Sequence, residues 1–430
     1  MKFAICTLGC KVNQYETQAM ERRLLELGHE LCSADTPCDC YIVNTCTVTA
    51  VADKKNRNLI RRLKKQNPDA VLAVCGCYAQ MKPEDIRDLG ADVIAGSGER
   101  ERFLELVLST VADRQQREFL DDPKLRRSFE RLPAGSLAER TRAMLKVQDG
   151  CNNFCTYCII PYARGPVRSL PLADAVAQAR QLAADGYREI VLTGIEIASW
   201  GWDFKDGSRF VQLADAVCAA VPDTRIRLGS LEPRIIDDEF CQVMKKHPNL
   251  CPHFHLSMQS GSDTVLARMR RRYDTARYYE SVQLLRQAFP NCAVTTDMIV
   301  GFPGESEAEF CESLAFIEKC GFADMHIFPY SRRPGTPADK LPEQLPNAVK
   351  EERSRTAIAA AAKMNRAFRT RMIGSTQEVL FEEMDGEYCT GHAKNSIRVY
   401  LAGGERRNEV LAVRITGLHA DGLLGELINA

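Results

Sequence analysis

The stretch Gln148-Asp-Gly-Cys-Asn-Asn-Phe-Cys-Thr-Tyr-Cys-Ile-Ile-Pro-Tyr-Ala-Arg-Gly-Pro166 decides the fold. It follows an apolar run at 144–147 that predicts a β-strand, and it sets Cys151, Cys155 and Cys158 at spacings of four and three residues. Three thiolates in one short loop suit an iron–sulfur cluster, and a four-iron cluster held by three of them keeps one iron open for a ligand. Zinc is the plainer alternative, but it usually takes a fourth Cys or His from nearby. None lies within about twenty residues of this loop.

Beyond the loop, strand signals recur at 189–193, 225–230, 253–258, 294–300 and 326–330, separated by helical stretches such as 173–184 and 305–319. Six strand–helix units predict a partial barrel of parallel strands, with its chemistry at the C-terminal strand ends. Thr193-Gly194, Leu256-Ser-Met-Gln-Ser-Gly261 and Gly301-Phe-Pro-Gly-Glu305 fall at such ends. Before the loop, strands at 2–8, 41–44, 70–74 and 92–95 alternate with helices near 15–27 and 50–66, which predicts an α/β doubly wound parallel sheet. After it, an Ala-rich helix near 347–368 leads to short strands punctuated by Asp385-Gly386, Gly403-Gly404 and Asp421-Gly422. Those turns predict five antiparallel strands forming a small β-barrel. The expected units are 1–111, an interdomain connection at 112–142 rich in Arg, Glu and Asp, 143–368 and 369–430.

Lys+Arg and Asp+Glu both total 57 in the 430 residues, which excludes a generic polyanion binder; nucleic-acid contact would need local basic patches. No apolar run is long enough to span a membrane, and Phe3-Ala4-Ile5 starts a strand rather than a signal peptide, so a cytoplasmic location is expected. Eighteen cysteines in such a chain argue against a disulfide framework. Cys6, Cys218, Cys241, Cys292, Cys311 and Cys320 lie in apolar patterns and read as small buried hydrophobes, as does Cys389 in its strand. Leu8-Gly-Cys10, Asn44-Thr-Cys46 and Cys75-Gly-Cys77 are different, because each puts a cysteine just after a parallel strand. Neighbouring strand ends of a doubly wound sheet are where such folds bind ligands. Cys10, Cys46 and Cys77 therefore read as a second cluster site, against the alternative of three unrelated buried thiols, with Cys75 open as a substitute for Cys77.

The CxxxCxxC loop after the first strand of a partial barrel resembles the radical S-adenosylmethionine superfamily. That resemblance implies a 4Fe-4S cluster on Cys151, Cys155 and Cys158 whose open iron chelates S-adenosyl-L-methionine. It implies further cofactor contacts from Tyr157, Gly194, Ser257, Gln259 and Gly301. With Leu8-Gly-Cys-Lys-Val-Asn-Gln-Tyr-Glu-Thr17 and Asn44-Thr-Cys-Thr-Val-Thr49, the whole chain resembles the methylthiotransferases. The nearest branch acts on N6-threonylcarbamoyladenosine next to the anticodon of tRNA. Its implications are a second 4Fe-4S cluster on Cys10, Cys46 and Cys77, and a second S-adenosylmethionine as methyl donor. The implied reaction replaces the hydrogen on adenine carbon 2 by a methylthio group. That bond is strong and not acidic, so a radical rather than a side-chain base must break it. The implied partners are a tRNA anticodon stem-loop, an external flavodoxin- or ferredoxin-like electron donor and a sulfur source, with no membrane.

The C-terminal barrel resembles the RNA-binding TRAM domain. Its expected phosphate contacts are Arg366, Arg369, Arg371, Lys394, Arg398, Arg406 and Arg407, joined by the run Arg268-Met-Arg-Arg-Arg272 and by Arg332-Arg333. Two alternatives accompany this reading. One is the same chemistry on isopentenyladenosine in tRNA or on a ribosomal-protein aspartate. The other is a non-catalytic iron–sulfur RNA-binding sensor.

Overall fold

The computed structural model describes residues 1–134 and 141–428. The first unit is one parallel sheet of β1 (Lys2–Thr7), β2 (Glu30–Leu31), β3 (Cys40–Thr45), β4 (Val71–Gly76), β5 (Val93–Ala95) and β6 (Arg117–Phe119), in the order β2-β1-β3-β4-β5-β6. β3 and β4 are buried at every position, as central strands covered on both faces must be. The order reverses between β1 and β3, the switch point where doubly wound sheets hold ligands. β2 and β6 went unread in the sequence, because two or three polar-rich residues carry no alternation. β6 falls inside 112–142, so this stretch supplies a sheet edge besides connecting units; its residues 135–140 lie outside the described residues.

The second unit holds β7 (Arg142–Lys146), β8 (Gln148–Asp149), β9 (Arg168–Ser169), β10 (Glu189–Thr193), β11 (Arg225–Leu228), β12 (Ser230–Leu231), β13 (His253–Leu256), β14 (Ala293–Val300) and β15 (Asp324–Pro329). β7, β10 and β11 form one parallel arc and β12 to β15 a second. Gly229 alone separates β11 from β12, so the arcs join into the expected six-stranded partial barrel. The cysteine loop leaves from β8 and returns through β9, which pair antiparallel and pinch its base. Gly150 makes that pinch possible. Its φ is 74°, and a Cβ there would stand 1.9 Å from the Pro166 carbonyl oxygen.

The third unit is a closed barrel of β16 (Thr376–Asp385), β17 (Tyr388–Ala393), β18 (Arg398–Ala402), β19 (Val410–His419) and β20 (Gly422–Leu427), in the order β16-β17-β18-β20-β19. An all-antiparallel barrel was expected, but β18 and β20 run parallel. Directions cannot alternate around a closed ring with an odd number of strands, so one parallel pair is obligatory. Cys218, Cys241, Cys292, Cys320 and Cys389 are buried as expected, whereas Cys6 is half-buried and Cys311 is exposed. Cys311 lies on the outer face of helix Glu307–Cys320, away from the stripe of Phe310, Phe316 and Ile317.

The first and third units close the two openings of the partial barrel. Helix Lys11–Glu26 packs against β7, and beyond β15 Ser331 Oγ accepts from the Ala50 N–H at 3.1 Å and Arg333 donates to Asp53 at 2.9 Å. The first unit therefore spans the gap between β7 and β15. At the N-terminal strand ends, Arg142 pairs with Glu382 at 2.7 Å, and Arg225 and Arg227 donate to the carbonyls of His392 and Lys394 at 3.2 and 3.0 Å. Burial opposes the charge of Glu382, but His392 and Arg142 outweigh it and hold the carboxyl at about 2. A depressed carboxyl adds stability that is complete above its unfolded value and lost as pH falls toward the folded one. Between pH 4.5 and 2, the urea midpoint of Glu382→Gln should therefore fall less steeply than that of the parent. Identical pH profiles would show that this ion pair does not hold the units together.

Candidate active site

Cys155 is buried, and Cys151 and Cys158 are half-buried. Burial pushes the Cys151 thiol up and Cys158 up to about 12. Each thiol must therefore lose a proton when iron binds. Donors already face these sulfurs: the Asn153 N–H lies 3.5 Å from Cys151 Sγ, and Arg271 Nη1 lies 3.3 Å from Cys155 Sγ. Beside them Glu196 accepts from Asn153 at 3.3 Å. Burial, opposed by Arg271, raises Glu196 to about 7. Glu196 escaped notice in the sequence; its signal was a carboxylate two residues past Gly194 at a barrel strand end.

In the first unit, Cys10 caps helix Lys11–Glu26, Cys46 follows β3, and Cys77 opens helix Cys77–Met81. Asn13 ties the strand ends together, donating to Leu8 O at 3.1 Å and Thr45 O at 3.0 Å. Gly76 has φ 102°, and a Cβ there would meet Thr45 O at 2.5 Å, so only glycine turns the chain here into Cys77. Burial, with the nearby Cys77, pushes Cys46 up to about 12, and Cys10 lies within electrostatic reach of both. Cys75 points elsewhere, into the apolar packing of Phe3, Ile42 and Phe103. Cys77 Sγ accepts from Arg164 Nε at 3.3 Å, and Cys77 is near enough to add to the raised pKa of Cys158. Helix Cys77–Met81 packs on helix Ile160–Arg164, so Cys77 and Cys158 lie near one another across the junction of the units.

Tetrahedral zinc with Zn–S near 2.3 Å would hold its sulfurs about 3.8 Å apart. Among the described residues, the ligand atoms of one trio, His255, Asp297 and His326, come within 4.8 Å of one another. Neither cysteine trio is that tight. The N–H donors at Cys151, Cys155 and Cys77 fit an iron–sulfur cluster, whose sulfurs take such hydrogen bonds.

A cavity of about 810 Å³ opens between the units, bounded by Gly9, Cys10 and Lys11 on one side and Thr193 and Gly194 on another. From β13 to β15 it is lined by His255, Thr295, Asp297 and His326. Asp297 bridges the two imidazoles, at 3.2 Å to His255 Nε2 and 3.1 Å to His326 Nδ1. Burial opposes the Asp297 charge, yet the two imidazoles hold it well below the usual carboxylate range; in return Asp297 raises His326. Burial lowers Lys11, and the charges of Arg227 and Arg142 add to that.

Of the expected cofactor contacts, Gly194 lines the cavity. Tyr157 packs with Val265, Phe302 and Tyr330. The Ser257 carbonyl accepts from Tyr273 and, at 3.4 Å, from Arg271. Gln259 has φ 69° and exchanges backbone hydrogen bonds with β14. Gly301 donates to Glu305 at 2.6 Å and presses on Lys350. Several expected phosphate contacts are engaged inside the protein. Arg271 holds Cys155, Arg333 is buried on Asp53 and Thr47, Arg268 pairs with Glu309, and Arg398 pairs with Asp385. Charge in a sequence does not reveal burial, and these side chains found partners before solvent.

A parallel partial barrel whose first strand runs into a three-cysteine loop is the architecture of the radical S-adenosylmethionine superfamily, and that family's model matches residues 145–317. The superfamily implies a 4Fe-4S cluster and S-adenosylmethionine. A model described as "Uncharacterized protein family UPF0004" matches residues 2–96. The threonylcarbamoyladenosine tRNA methylthiotransferase MtaB of Bacillus subtilis is 41% identical over 94% of this chain and 90% of its own. MtaB of Thermotoga maritima is 36% identical over 97% and 95%. The tRNA-2-methylthio-N(6)-dimethylallyladenosine synthase of Acetivibrio thermocellus is 33% identical over 99% and 87%. Among solved structures, the radical S-adenosylmethionine methyltransferase TsrM of Kitasatospora setae, with cobalamin and a [4Fe-4S] cluster bound, shares the fold with TM-score 0.57 at 15% identity, over 78% of this chain and 73% of that one. The chain belongs to the radical S-adenosylmethionine tRNA methylthiotransferase family.

Two outcomes follow from the site. Changing Cys151, Cys155 and Cys158 together to Ala should halve the bound iron and abolish reductive cleavage of S-adenosylmethionine; undiminished iron would refute their role as a ligand set. Arg164→Met strips a cation from buried Glu16 and a donor from Cys77, and should destabilise the apoprotein by about 3–5 kcal/mol in urea unfolding. Arg62→Ala, on an exposed pair with Asp35, should cost no more than about 0.5 kcal/mol.

Proposed function

We propose that this chain converts N6-threonylcarbamoyladenosine beside the tRNA anticodon to its 2-methylthio derivative, with one 4Fe-4S cluster on Cys151, Cys155 and Cys158 and a second on Cys10, Cys46 and Cys77. The observation that carries the reading is the juxtaposition of Cys77 and Cys158 across one junction, beside a cavity that Cys10 enters. Radical generation and sulfur delivery must reach the same carbon, and trios that come near one another suit that need. The radical cluster with S-adenosylmethionine supplies the hydrogen-abstracting chemistry that no side chain can. The chain's own residues do the rest. Arg271 and the Asn153 N–H steady two sulfurs of one trio, and Arg164 steadies Cys77 of the other. The first unit covers the open side of the barrel and keeps water from the reacting base. The adenine enters splayed from its loop, as single-stranded RNA bases do when read by proteins. Closely similar MtaB relatives favour the threonylcarbamoyl substrate over isopentenyladenosine. An external flavodoxin- or ferredoxin-like donor supplies the electrons, and a separate source supplies sulfur.

The test uses protein with both clusters reconstituted, dithionite, S-adenosylmethionine and an anticodon stem-loop carrying threonylcarbamoyladenosine. Nucleoside mass spectrometry should find the 2-methylthio product. Changing Cys10, Cys46 and Cys77 to Ala should remove that product while 5′-deoxyadenosine still forms. Product only from an isopentenyladenosine stem-loop, or none from either, would sink the proposal. An active Cys77→Ala with an inactive Cys75→Ala would reassign the third ligand.

A further inference from the structure

The walls of the cavity are unusual for a parallel barrel. Barrel interiors are normally filled by branched apolar side chains. Here the inward positions of three adjacent strands are His255, Thr295, Asp297 and His326. They form one hydrogen-bonded belt: His255 Nδ1 lies 3.0 Å from Thr295 Oγ1, and Asp297 joins the two imidazoles. Lys11 enters the same cavity from the first turn of its helix. Among the described residues its ammonium has no hydrogen-bond or ion-pair partner. The nearby carboxylate of Glu189 is already taken, one oxygen by Arg227 at 2.7 Å and the other by Arg225 at 3.0 Å. Lys11 is exposed to the cavity, so an anion that enters can reach its ammonium.

Lys11 also adjoins Cys10, so whatever it holds lies beside the sulfur-delivering trio. Carbons 2 and 6 of adenine flank the same ring nitrogen. An arm on N6 therefore leaves the ring next to the reacting carbon. A threonylcarbamoyl arm carries a carboxylate, a hydroxyl and carbamoyl N–H groups. An isopentenyl arm has none of these, and would cover Lys11 without offering it a partner.

We propose that Lys11 and the His255–Asp297–His326 belt form the subsite for an acidic N6 arm, the Lys11 ammonium pairing with the arm's carboxylate and Asp297 accepting from its hydroxyl or N–H. The assignment rests on the function proposed above and makes Lys11 a specificity-determining residue. A site built for polar partners rejects an analogue that lacks them far more strongly than an apolar slot rejects a small change of shape.

The test compares reconstituted holoenzyme on three stem-loops, bearing the threonylcarbamoyl acid, its methyl ester and isopentenyladenosine. The unaltered protein should favour the acid over the ester by about a hundredfold in kcat/KM, mostly through KM. That arm of the test needs no variant, so it stands even if a change at Lys11 disturbs the neighbouring cluster. Lys11→Met should erase the preference, and Lys11→Arg should restore most of it. Equal use of acid and ester by the unaltered protein, or a full preference in Lys11→Met, would overturn the subsite while leaving the methylthiotransferase reading intact. Product from the isopentenyl stem-loop alone would overturn both.

Discussion

Glu16 has no solvent-exposed surface, and its two oxygens meet three cations: Arg164 at 2.7 Å, Arg100 at 3.0 Å and Lys146 at 3.2 Å. A buried carboxylate without partners is untenable, so all three must be in place. They come from three locations. Lys146 ends the barrel's first strand, Arg164 ends the helix after the cysteine loop, and Arg100 begins the helix after β5. Glu16 itself sits two turns into the helix that Cys10 caps. One carboxylate thus indexes the cysteine loop against the first sheet. Asp149 extends the network to Lys146, Arg164 and Arg168. Two carboxylates then face four cations in a dry interior, and Arg164 turns its remaining N–H to Cys77. Arg164 lowers the Cys77 thiol, but burial, with Cys10 and Glu16, outweighs it and leaves that thiol raised. The contacts that dock the units thus also reach Cys77.

The sequence disclosed whatever was local. The cysteine loop is contiguous, and the barrel strands are four to eight residues of mostly apolar pattern. The first trio was legible at one remove, because strand–helix alternation fixes which loops share an end of the sheet. Cys75 packs into the sheet, whereas Cys77 lies near Cys10, a difference set by Gly76 at the end of β4.

Residues whose role depends on strand register were not legible. His255, Thr295, Asp297 and His326 are separated by up to 71 positions and meet because β13, β14 and β15 pair His255 with Thr295 and Asp297 with His326. Read singly, each is an unremarkable polar residue in a strand. Arg271 and Arg333 failed for the opposite reason. They looked like surface charge, and their burial depends on the cluster loop and the first helices folding over them. Lys11 lies inside the Leu8–Thr17 motif, and its place in the cavity depends on two units meeting.

Six strands cannot close a parallel barrel, and the two extra units supply the missing wall and floor by different means. The floor is joined through ion pairs and carbonyl contacts at the strand N-termini, and its His392, Asn395 and Arg398 line the same cavity. The wall is the first unit itself, which brings Cys10 and Lys11 to the cavity with it. An eight-stranded barrel fills its centre with hydrophobes and gains their burial energy. This one gives up that gain over about 810 Å³ and keeps a polar belt whose members are paired with one another. Such a belt resists collapse, since shrinking the cavity would have to break hydrogen bonds that water could no longer replace. The cavity is therefore held open by the same groups that line it.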